Sequence, residues 1–93
     1  MTTRADRIRR TLEARFPPAE VVVRDDSARH AGHAGAAPGG ETHYAVLVVS
    51  PAFRGLTRLA RSRAVHEALA AEFASGLHAL SLTLRTPEEA AAG

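Results

Sequence analysis

The sequence predicts an α+β domain in which helices cover one face of a three-stranded sheet. Three observations carry this. Apolar residues recur every four positions near the N-terminus, at Ile8, Leu12 and Phe16. Two β-branched or apolar runs, EVVVRD and THYAVLVVS, stand on either side of a Gly- and Ala-rich stretch. A second helical period then runs into Gly76 and is followed by alternating leucines. The predicted order is helix, strand, long loop, strand, turn, long helix, strand, in one domain over residues 1–93.

The first helix is expected over 3–16. Thr3 and Asp6 have the spacing of a capping box, and Pro17 and Pro18 stop the helix. Residues 20–25 are short and β-branched, which predicts a strand. A loop follows over about 26–41, and then the strongest strand signal, 42–50, whose near-continuous apolar run suits a central position. A hairpin with a long tip is the simplest connection between these strands. Residues 50–55 predict a turn or a single helical turn before Gly55. Thr57 can cap a long helix over about 58–75, with Leu59, Val65, Leu69 and Phe73 as its inward face and Gly76 as its stop. Residues 78–86 predict a third strand with Leu80, Leu82 and Leu84 on one face. The tail, about 87–93, is expected to fray.

Composition narrows the function classes. A chain of 93 residues buries only about 60–65% of the surface its unfolded form exposes. That leaves no room for a large internal cavity, so a site is expected at the surface or completed by a partner. Cysteine is absent, which excludes disulfides and thiol chemistry by this chain and fits a reducing, cytoplasmic setting. No apolar run is long enough to span a membrane, and the Arg-rich N-terminus lacks the apolar core of a secretory signal. All twelve basic residues are arginine, yet ten acids leave a formal charge of only +2. Nucleic-acid binding is therefore permitted but not demanded.

Chemistry-bearing side chains concentrate in the stretch HAGHAGAAPGGETH, residues 30–43, which holds three of the five histidines. His30 and His33 have H-x-x-H spacing, and neutral imidazole is a common metal ligand. Spacing alone favours the plainer reading, a solvated loop with incidental histidines. His78 opens the third strand and shares parity with its leucines, so it is either a half-buried histidine satisfied by backbone or a ligand on a rigid element. His43 and His66 read as structural and surface residues respectively. Gly32 to Gly35 spells the GxxG of KH nucleic-acid modules, but it falls between strands rather than helices and is read as chance. Arg54, Arg58 and Arg61 lie near the start of the second helix and form a candidate partner or nucleic-acid surface, although stacking aromatics are scarce. No serine sits in a nucleophile elbow, Glu41 and His43 lack a substrate pocket, and a non-enzymatic protein is expected.

Taken together, VVVRDDSARHAGHAG, GGETHY, FRGL and LHALSL resemble the BolA-like proteins, over about Arg4 to Pro87. The resemblance implies an αββααβ topology related to the class II KH fold. It also implies a monothiol glutaredoxin as partner, with a [2Fe-2S] cluster shared between the two chains and glutathione, for iron–sulfur trafficking or iron and redox regulation. His78 matches the family's cluster-ligating histidine in its VHAL motif, with Leu77 in place of Val. The second ligand implied is a loop histidine, His33, with His30 as the alternative. Such imidazole ligation is expected to raise the cluster's potential above that of an all-thiolate centre. The family's RHR is RSR here, with Ser62 at the histidine position. The competing reading is a DNA-binding transcriptional regulator that uses the KH-like fold. The partners expected are thus a glutaredoxin with glutathione, then DNA, with no membrane, and a weak homodimer when the chain is alone.

Overall fold

The computed structural model describes residues 2–26 and 43–92. The predicted loop from residue 27 on, with His30 and His33, lies outside them. Helix α1 (Arg4–Arg15) is followed by strands β1 (Glu20–Asp25) and β2 (His43–Val49), a single 3-10 turn at Pro51–Phe53, helices α2 (Arg58–Ala68) and α3 (Ala70–Ala74), strand β3 (Ala79–Arg85) and helix α4 (Pro87–Ala92). The sheet order is β1-β2-β3. β2 is central, antiparallel to β1 and parallel to β3. This is the expected α+β fold with a three-stranded mixed sheet, class II KH-like.

Each element has a local cause. The Thr3 hydroxyl accepts from the Asp6 N–H at 3.1 Å while the Asp6 carboxylate accepts from the Thr3 N–H at 3.3 Å, so the capping box is complete. The four-residue stripe of α1 is its buried face: Ile8 and Leu12 are fully buried and Phe16 nearly so. Tyr44, Val46 and Val48 point from β2 into the same core, which Phe53, Val65, Leu69 and Leu77 complete. Each such side chain contributes about 1.5–3 kcal/mol by leaving water. Ser50 ties three elements together at one end of the sheet. Its hydroxyl donates to the Phe16 carbonyl at 2.6 Å, and its N–H donates to the Arg85 carbonyl at 2.9 Å. A parallel β2–β3 pair needs a crossover, which α2 and α3 supply.

Three expectations need correction. Leu59 is 60% exposed, because the inward positions of α2 are Arg61 and Val65, continued by Leu69. The predicted long helix is broken at Leu69, whose backbone leaves the helical region (φ −103°, ψ 15°), and nothing in the local sequence accounts for the break. The tail does not fray over 87–92. Pro87 occupies its first turn, and Thr86 and Glu89 cap it reciprocally: the Thr86 N–H donates to Glu89 at 2.8 Å and the Glu89 N–H donates to the Thr86 hydroxyl at 3.2 Å.

Candidate functional site

His78 stands between a fixed turn and the start of β3. The turn is a Schellman motif. The Leu77 N–H donates to the Glu72 carbonyl at 2.9 Å, and the Gly76 N–H donates to the Phe73 carbonyl at 3.5 Å. Gly76 supplies the positive φ of 122° that the motif requires. Leu77 is buried and anchors the chain just before the histidine. From the other side, α1 clamps the turn. Arg4 donates from one nitrogen to the Glu72 carbonyl (3.0 Å), the Glu72 carboxylate (2.9 Å) and the Ser75 hydroxyl (2.9 Å), and from the next to the Ser75 carbonyl (3.0 Å). Arg7 adds a bidentate pair to the Glu72 carboxylate at 2.9 and 3.0 Å. Arg7, and then Arg4, hold the Glu72 carboxyl below its usual value against the opposing effect of burial. Sequence reading missed this clamp, because nothing in the spacing links residues 4 and 7 to 72.

The His78 side chain is exposed; parity with the leucines does not bury it, since it lies ahead of the paired residues. Among the described residues its ring neighbour is His43, with centroids 6.0 Å apart and planes inclined by 44°. The register explains the approach: His43 pairs with Ala79, the residue after His78. The His43 carbonyl also accepts from the Asp26 N–H at 2.8 Å. The chain therefore leaves the described sheet at Asp26 and re-enters it at His43 in the corner occupied by His78. His30 is four residues from Asp26 and His33 seven. At about 3.3–3.6 Å per residue, chain length lets either come to this corner. His43 was read as a structural residue, and only the parallel register reveals its nearness to His78.

The site's donor set is limited. Among the described residues no three His, Cys, Asp or Glu side chains are grouped to hold a metal ion. A metal group at this corner would need ligands from residues 27–42 or from another molecule. His66, by contrast, is engaged with α2 and α3. Its Nδ1 lies 2.8 Å from the Ser62 carbonyl, and its ring stacks on Phe73 at 5.4 Å.

The three arginines of the second candidate surface differ sharply. Arg61 is buried at 7% exposure and is a structural residue rather than a surface cation. It donates to the Leu56 carbonyl (3.0 Å), the Leu84 carbonyl (3.2 Å) and the Glu89 carboxylate (2.6 and 3.2 Å), and it lies over the Phe53 ring at 5.9 Å. Arg54 is exposed but grips Glu88 through two hydrogen bonds of 2.7 and 2.6 Å. Arg58 is exposed and has no ion pair among the described residues.

Comparison with known proteins agrees with this architecture. Residues 12–89 match the family model of the BolA-like proteins. SufE-like protein 1, chloroplastic/mitochondrial, of Arabidopsis thaliana is 44% identical over 91 residues, which is 94% of this chain and 24% of that protein. Protein BOLA1, chloroplastic, of the same plant is 43% identical over 88 residues, 92% of this chain and 55% of that protein. The chain thus spans a quarter to about half the length of these relatives. The solved BolA domain of SufE1 from Arabidopsis thaliana superposes with a TM-score of 0.84 at 43% identity, covering 96% of this chain and 98% of that one. A family model matched over most of the chain, together with this breadth of likeness in sequence and fold, leads to one assignment: the chain belongs to the BolA-like protein family.

Proposed function

We propose that this chain is a non-enzymatic adaptor that docks on a monothiol glutaredoxin and contributes imidazole ligands to a glutathione-dependent [2Fe-2S] cluster. The observation that carries this reading is the exposed ring of His78 at the corner where the chain leaves and re-enters the sheet. The donor chemistry fits a shared group. A chain without cysteine cannot close a cluster by itself, whereas one imidazole from a rigid strand start and one from residues 27–42, His33 or alternatively His30, complete a set begun by two outside thiolates. When bound, the cluster supplies one-electron chemistry and an iron–sulfur unit for transfer. The chain's own residues do simpler work. Arg4, Arg7 and Gly76 fix the turn that presents His78, and the His78 ring offers a nitrogen lone pair.

The reading is tested by visible circular dichroism of a glutaredoxin–glutathione [2Fe-2S] complex titrated with this chain. A new spectrum that saturates at equal stoichiometry, and is lost with His78→Ala, supports it. The ligand from the loop is the one whose alanine variant, His30→Ala or His33→Ala, gives the same loss. An unchanged spectrum with the wild-type chain overturns it. The DNA-binding alternative has a narrower base, since Arg61 is buried and Arg54 is paired with Glu88.

A further inference from the structure

Along β3 the sheet has an open edge. β2 occupies one side of β3, and no described strand takes the other. Residues of a parallel strand turn their N–H and C=O groups alternately to the two sides. The Arg85 carbonyl accepts from Ser50 at the end of β2, so Ala79, Ser81 and Thr83 also face β2. The Leu84 carbonyl accepts from Arg61 instead, so Leu80 and Leu82 face outward with it. Their N–H and C=O groups form a row of the kind that templates another strand.

This row borders a groove of about 470 Å³ between β3 and α2. Arg58 and Ser62 line it from the helix, Leu82 and Arg85 from the strand, and the Arg61–Glu89 pair closes it. Arg61 and Glu89 neutralise one another. Arg58 and Arg85 are exposed and have no ion pair among the described residues, so the groove carries uncompensated positive charge. No aromatic ring lines it. A single-stranded nucleic acid would find two cations but no stacking platform. An extended polypeptide would satisfy the backbone row and set carboxylates against both arginines.

We propose that the β3 edge takes a short, extended acidic peptide segment of a partner protein by strand addition. Its main chain pairs with Leu80 and Leu82, and its carboxylates meet Arg58 and Arg85. No imidazole enters the pairing, so the test reads peptide binding apart from cluster binding.

The test uses the full chain and a short fluorescein-labelled peptide of threonines around two consecutive glutamates, whose side chains a strand turns to opposite faces. Anisotropy gives affinity, and the amide resonances of Leu80 and Leu82 report the contact. Expected are binding, shifted and exchange-protected Leu80 and Leu82 amides, and a weakening on the order of tenfold when two edge-facing peptide amides are N-methylated, as loss of two backbone hydrogen bonds requires. The double variant Arg58→Glu with Arg85→Glu should weaken binding similarly while keeping the wild-type urea midpoint, since both side chains are exposed. Four outcomes overturn the proposal. One is no binding, and another is binding indifferent to N-methylation. A third is preference for a labelled oligothymidylate. The last is concentration-dependent self-association that shifts the same amides without peptide, which would make a second copy the occupant.

Discussion

Arg61 and Glu89 meet at 2.6 Å across the seam between the long crossover helix and the C-terminal helix, with the arginine buried and the carboxylate half-exposed. With the Leu84 carbonyl also held by Arg61, α2, the edge of β3 and α4 are joined. This gives the C-terminal segment a defined place on the domain.

Acid should release α4. The Arg61 guanidinium, and then the Thr86 N–H, push the Glu89 carboxyl down to about 2. A carboxyl depressed by folding stabilises fully above its unfolded value of about 4.3 and loses that contribution as pH falls toward the folded value. Carboxyl NMR titration should therefore show Glu89 still ionised when ordinary glutamates have protonated. The amides of residues 87–92 should shift to unfolded positions only on further acidification. A Glu89 midpoint in the ordinary range would show that the contact does not persist in solution.

Arg61→Met should destabilise the domain by about 1–3 kcal/mol, because the Leu56 and Leu84 carbonyls lose their donor. Arg58→Met, at an exposed position, should stay within about 0.5 kcal/mol of wild type. Urea midpoints at neutral pH separate the two. Equal midpoints would return Arg61 to the surface.

Gly76→Ala should cost about 1–3 kcal/mol, since φ of 122° is strained for a residue with a Cβ. The Schellman turn would shift, and His78 with it. Chemical shifts of His78 and of the Ala79 amide provide the check; if they hold still while stability falls, the turn does not set the histidine's position.

His78→Ala should leave the stability read from urea unfolding within about 0.5 kcal/mol of wild type, as expected for an exposed side chain. Glu72→Gln should do the opposite, lowering the midpoint because Arg4 and Arg7 lose their shared carboxylate. If His78→Ala unfolds the chain, the ring is part of the fold and its loss of a cluster spectrum would mean nothing.

Where sequence signals were local, they were read correctly. The Thr3 box, the Ile8–Leu12–Phe16 stripe, the first strand and the Gly76 stop are each written within a few residues. The failures came where a polar side chain takes an apolar role. Arg61 faces inward on α2, so a phase drawn through leucine and valine put Leu59 inside by mistake. The C-terminal helix was legible in principle: Thr86, Pro87 and Glu89 carry the N-terminal signature of a helix, but the run of alanines after them has no apolar face and masked it. At the site, the histidines could be named but not assembled. The pairing of His43 with Ala79 is a fact of register, and register between distant parallel strands leaves no trace in spacing.

The parallel joining of β2 to β3 has one more consequence. His43 and His78 are separated by a crossover of two helices, and neither imidazole has the other as a neighbour until the last strand has docked. A nascent or partly denatured chain displays two unrelated histidines; only a finished one displays the pair. The corner is thus a certificate of completed folding, so a partner that recognises it inspects the chain's integrity in the same act as binding it.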